Sequence, residues 1–139
     1  MKANDITWNK FYQKLGYLFY SIAASDKHIS LVEEEMLHAL IKQDWVPLQR
    51  GKDEFGTEAA FKMEIVFDYL HEERISSEMA YHVFESYFKE NLELFGDDIV
   101  AKIYHTADKI AEVFHSKNKS ELIAISRMKF LIGREKHVF

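Results

Sequence analysis

The chain has 139 residues, a net charge of −5 and no cysteine, so it is expected to form one domain large enough to bury about 68% of its unfolded surface without a stabilising cross-link. The missing thiols exclude disulfides, thiolate nucleophiles and cysteine-ligated zinc or iron–sulfur sites, and leave oxygen and imidazole as the only metal ligands. Its 18 basic residues are scattered and form no positive stripe, so nucleic acid is not an expected partner.

Taken in chain order, Trp8, Phe11, Tyr12, Leu15, Leu18, Phe19 and Ile22 recur at three and four residues and predict an amphipathic helix over 6–24. Within it, LGYLFYSIAAS (15–25) has the apolar run and small residues of a signal peptide. Its spacing continues a stripe begun upstream, so it is read as part of the helix, and a cytoplasmic location is expected. The run is too short to span a bilayer, and no membrane insertion is expected.

A second helix is predicted over 31–43, carrying Val32, Met36, Leu37, Leu40 and Ile41; Pro47, Gly51 and Gly56 then mark a loop over 44–57, a plausible variable contact surface. Helical spacing resumes over 59–70, breaks at HEERIS (71–76), and returns over 80–88. Ser76 or Ser77 is the expected cap of that fourth helix. After Gly96 a fifth stripe runs over 99–114, and a last helix over 120–132 has apolar residues almost all round, which predicts it as the buried centre. Six helices and no credible strand predict an all-α, compact bundle. Its twenty aromatic residues (two Trp, seven Tyr, eleven Phe) mostly fall on the stripes, as packing requires.

The densest polar stretch is ASDKHISLVEEE (24–35). Ser30 and Glu33 form a capping box that starts the second helix, and NKSE (118–121) offers the same arrangement with Asn118 as cap. Aligning the stretch with a calcium-binding EF-hand loop puts Ile22, Ala24 and Lys27 where two carboxylates and a glycine are required, which excludes an EF-hand. At 100° per residue Glu33 projects into the arc of Met36, Leu37 and Leu40, whereas Glu34 and Glu35 point away. Glu121 falls between Ile125 and Met128. Inward carboxylates must be hydrogen-bonded, paired or metal-bound. Capping is the first reading; the second is a Ca²⁺ or Mg²⁺ site formed by Asp26, Glu33, Asn118 and Glu121 where two helix starts converge.

The pattern A-x-D-x-x-I-S-x-x-E at Ala24, Asp26, Ile29, Ser30 and Glu33 resembles the signature of TerB-like domains, named for the tellurite-resistance protein TerB. EIVFDYL, AYHVFESYF and NKSEL resemble TerB-related proteins of Bacteroidetes. The resemblance spans roughly residues 12–131. It implies two related helical halves, metal binding near the Asp turn with Asp26 and Glu33 as the acidic pair, and roles in stress response or assembly at the membrane face. It implies no enzyme activity. Lys27 stands where the family has glycine, which makes a positive φ costlier and adds a positive charge beside the carboxylates.

Other constellations carry less. Glu35-x-x-His38 copies an element of di-iron bundles, but Glu35, His38 and Lys42 are read as outward, as are His82 and His105. Asp68 and His71 flank an apolar stripe and form the one helical pair kept as a metal candidate, against the reading of a solvated helix end. There is no G-x-S-x-G elbow, and QRGKDEFG lacks the spacing of a phosphate loop. The expected function is a non-catalytic interaction module with a protein partner and a divalent cation; the alternative is a metal-dependent helical enzyme using inward carboxylates.

Overall fold

The structure, a computed structural model, describes residues 5–26, 29–45, 61–113 and 119–136; the side chains of Asp5, Asp26, Val113, Lys119 and Glu121 are outside that description. Among the described residues the regular structure is entirely helical, an all-α bundle in the order α1 (Asp5–Ala23), α2 (Leu31–Asp44), α3 (Phe61–Glu72), α4 (Ser77–Glu90), α5 (Asp97–Val113) and α6 (Lys119–Lys136). Short 3₁₀ turns follow α1 (Ala24–Asp26) and α4 (Leu92–Leu94). Most of the expected loop over 44–57 lies outside the described residues. Its first member, Asp44, instead ends α2 and is buried with Trp45.

The central element is α1, not the last helix. Phe11, Tyr12, Leu15, Leu18, Phe19, Tyr20, Ile22 and Ala23 are all buried, and α1 packs against α3, α4, α5 and α6. α6 buries Ile125, Met128, Leu131 and Ile132 on one side and leaves Leu122, Ile123 and Phe130 exposed on the other. An apolar circumference therefore does not centre a helix when its neighbours cover only one side. The apolar run 15–25 is core, and no described helix is long and apolar enough to cross a membrane.

Close approach of α1 and α3 depends on Gly16, where an added Cβ would lie 3.1 Å from both the Met63 carbonyl oxygen and Val66 Cβ. At the other end of α1, Tyr20 donates to the Ile75 carbonyl and the Ser77 hydroxyl to the Ser21 carbonyl, both at 2.6 Å. These bonds pin the α3–α4 turn to α1. α3 ends where the Ile75 amide donates to Leu70 and the Arg74 amide to His71, at 3.0 and 3.2 Å, with Arg74 at φ 54°. This is the Schellman arrangement, with arginine in the left-handed position that glycine usually fills. Ser76, as expected, caps α4 by accepting from the Met79 amide.

α2 lies against α3 and α5, and its buried residues are Glu33, Leu37, Ile41 and Asp44. Its C-terminal end is held by a polar chain: Trp45 Nε1 donates to Thr106 Oγ1 at 3.0 Å, and the Thr106 hydroxyl donates to Asp44 Oδ2 at 2.9 Å. His105, exposed as expected, reaches the same Asp44 oxygen at 3.6 Å.

Two substitutions test this packing by urea unfolding. Gly16→Val should lower stability by about 2 kcal/mol, because a branched side chain must displace α3 backbone; an unchanged midpoint would contradict the close approach. Arg74→Gly should raise stability by roughly 0.5–1 kcal/mol, the left-handed strain relieved less the entropy of glycine, and a loss would show that the arginine side chain contributes more than the strain.

Candidate metal centre

The helical repeat places Glu34 one turn before His38 on α2, and Glu64, Asp68 and His71 along one stripe of α3. The two stripes meet where α2 packs on α3. His38 lies between two carboxylates, with Nδ1 2.7 Å from Glu64 Oε1 and Nε2 2.8 Å from Asp68 Oδ1. Glu34 Oε2 accepts from His71 Nδ1 at 2.9 Å. One ligand atom each from Glu34, His38 and Asp68 lie within 4.8 Å of one another, and all three residues are half-buried.

Glu64 is the deep member of the group. It is 8% exposed, and its second oxygen, Oε2, is buried with no hydrogen-bond partner among the described residues. Two carboxylates thus contact an imidazole that carries at most two protons, and a ligand atom of Glu34 lies within 4.8 Å of it. A neutral ring donates from one nitrogen and presents a lone pair at the other. In that state one of the two short carboxylate contacts sets lone pair against lone pair, which calls for a shared proton at the present distance or, with the two atoms moved apart, a bound cation.

Of the four residues expected to bind Ca²⁺ or Mg²⁺, Asp26 lies in the 3₁₀ turn after α1, and Glu33 is buried at the start of α2. The side chains of Asp26 and Glu121, and all of Asn118, lie outside the described residues. Glu33 serves the capping box: the Ser30 amide donates to Glu33 Oε1 at 2.8 Å, and the Glu33 amide donates to Ser30 Oγ at 3.1 Å. Met36, expected inward, is 45% exposed. His38, expected outward with Glu35, faces α3, and Glu34 is half-buried against His71. Glu35 is exposed as expected. Asp68 and His71 do join the cluster and are not a merely solvated helix end.

Glu34 and Glu64 are the members that sequence reading missed. The available signal was the pair of spaced sets E-x-x-x-H (34–38) and E-x-x-x-D-x-x-H (64–71). The buried arc of α2, centred on Glu33, Leu37 and Ile41, is rotated by roughly 60° from an arc centred on its larger apolar residues. That rotation turns His38 toward α3.

A groove of about 950 Å³ is lined by Tyr20, Ile29, His71, Ile75, Ile123 and Arg127 among others. Several of its polar groups are already engaged. Arg127 pairs with Glu78 at 2.8 Å, a hydrogen bond that holds the Glu78 carboxyl below its ordinary range, and its guanidinium lies over the Tyr81 ring at 4.0 Å. No family model, curated protein or solved structure matches the chain.

The two roles suggested for Glu33 separate by substitution. Glu33→Gln keeps an oxygen to accept from the Ser30 amide, so stability should change by less than about 0.5 kcal/mol, whereas Ser30→Ala should cost about 1 kcal/mol. Calorimetric titration of Glu33→Gln with divalent ions should match the wild type; loss of binding would show that Glu33 is a ligand.

Proposed function

We propose that the chain is a non-catalytic helical interaction module of TerB-like type that takes up one divalent cation between α2 and α3. The observation that supports this reading is the convergence of Glu34, His38 and Asp68 from two helices, with ligand atoms within 4.8 Å of one another. Carboxylate and imidazole together suit a cation, and a site spanning two helices couples occupancy to their packing. Such coupling gives a module a way to report an ion to a protein partner without turnover. The partner and the stress-response setting rest on the A-x-D-x-x-I-S-x-x-E resemblance, and the cytoplasmic location on reading 15–25 as part of a helix.

Titration calorimetry and thermal melting with Zn²⁺, Mn²⁺, Mg²⁺ and Ca²⁺ test the cation. One ion per chain should bind, raising the melting temperature as ligation of the folded state requires, and His38→Ala should weaken binding at least tenfold. The reading fails if no ion binds at millimolar concentration or if His38→Ala binds as the wild type does.

A further inference from the structure

Resting on that reading, we infer that Glu64 is a positioning carboxylate that fixes His38 as a nitrogen ligand, and that the site therefore takes a late first-row divalent ion of the Zn²⁺ class and not Ca²⁺ or Mg²⁺. The two carboxylates at His38 are not equivalent. Glu64 is buried and Asp68 is about half exposed, with side-chain exposures of 10% and 45%. A buried carboxylate has the stronger demand for a donor, because it has given up water. The Nδ1 proton is accordingly directed to Glu64 Oε1 at 2.7 Å, and Nε2 is the nitrogen left to face Asp68 Oδ1 at 2.8 Å.

This is the arrangement by which proteins prepare a histidine for a metal: a carboxylate on one ring nitrogen sets the tautomer and raises the basicity of the other. The same relation recurs with roles exchanged at Glu34, whose Oε2 accepts from His71 Nδ1 at 2.9 Å. Both α2 ligands are thus oriented by a residue of α3. The Glu64 oxygen that has no hydrogen-bond partner among the described residues is the independent sign that positive charge is wanted here. A dication at Nε2 would stabilise the Glu64 carboxylate as a whole through the Nδ1–Oε1 hydrogen bond, while Oε2 itself gains no donor.

The chemistry of the donors then selects the ion. Ca²⁺ and Mg²⁺ bind oxygen and require six or more ligands, whereas imidazole with two carboxylates suits Zn²⁺ and its neighbours, with water completing a tetrahedron. Ligands about 2.0–2.1 Å from such an ion lie roughly 3.3–3.4 Å apart. Binding would therefore open the 2.8 Å contact between His38 Nε2 and Asp68 Oδ1 by about 0.5 Å and draw in the Glu34 carboxylate, which now lies within 4.8 Å of both.

The test uses the full chain, loaded with Co²⁺ as a spectroscopic probe and then challenged with Zn²⁺, Ca²⁺ or Mg²⁺. The wild type should give the d–d absorption of a four-coordinate nitrogen–oxygen site, displaced by one equivalent of Zn²⁺ and resistant to a hundredfold excess of Ca²⁺ or Mg²⁺. Glu64→Gln should keep the fold, checked by its apo melting temperature, yet weaken Zn²⁺ binding about 10–100-fold and shift the Co²⁺ bands. Unchanged Zn²⁺ affinity and bands in Glu64→Gln overturn the positioning role. Displacement of Co²⁺ by Ca²⁺ or Mg²⁺ overturns the ion class, with cation binding itself intact. Absence of any bound ion overturns the proposed function as well.

Discussion

His38 stands between the carboxylates of Glu64 and Asp68 and joins α2 to α3, and the placement of α2 depends on contacts of this kind. Two of the four buried residues within α2, Glu33 and Asp44, are acidic. Burial of Leu37 and Ile41 contributes on the order of 1.5–3 kcal/mol each, little for a helix of fourteen residues. Polar contacts supply direction where apolar area is small. The capping box holds its start, His38 its middle, and the Trp45–Thr106–Asp44 chain its end. Each involves a desolvated group that is expensive to leave unpaired, so each tolerates one arrangement only.

That construction explains why a cation would matter here and not elsewhere on the surface. Exposed pairs such as Lys109–Glu112 or Lys129–Asp108 contribute little, because water screens them as well as a partner does. At the α2–α3 junction the carboxylates are partly withdrawn from water, and one of them almost wholly. An ion bound there interacts with two helices at once. Its binding energy would therefore also be packing energy between them, which is the coupling that the proposed function uses.

The number and order of helices were legible because periodicity survives even in polar helices such as α2. Their rank in the core was not. α6 is apolar nearly all round yet exposes Phe130, whereas α1, interrupted by Gly16 and Ser21, is the centre. The reason is that centrality is set by how many neighbours can approach, and the glycine that dilutes the hydrophobicity of α1 is what lets α3 come close. The site was half legible for a related reason. Asp68 and His71 flank a strong stripe of Met63, Phe67 and Leu70, so their direction could be read. Glu34 and His38 lie on a helix where Val32 and Met36 are apolar yet exposed, and a wheel centred on Met36, Leu37 and Leu40 points the histidine to solvent.

The acidic run Glu33-Glu34-Glu35 shows how one helix start can divide three identical side chains by function. Glu33 closes the capping box and so fixes the rotational phase of α2 at its first turn. With that phase set, the next residue along is carried to the α3 side, where Glu34 meets His71, and one turn further His38 meets Glu64 and Asp68. Glu35 is carried past that side into solvent. The Ser30–Glu33 part of the motif that resembles TerB-like domains therefore contributes to the candidate centre by aiming the helix. The capping carboxylate of Glu33 is thus the reason that Glu34 and His38, one turn apart, both face α3.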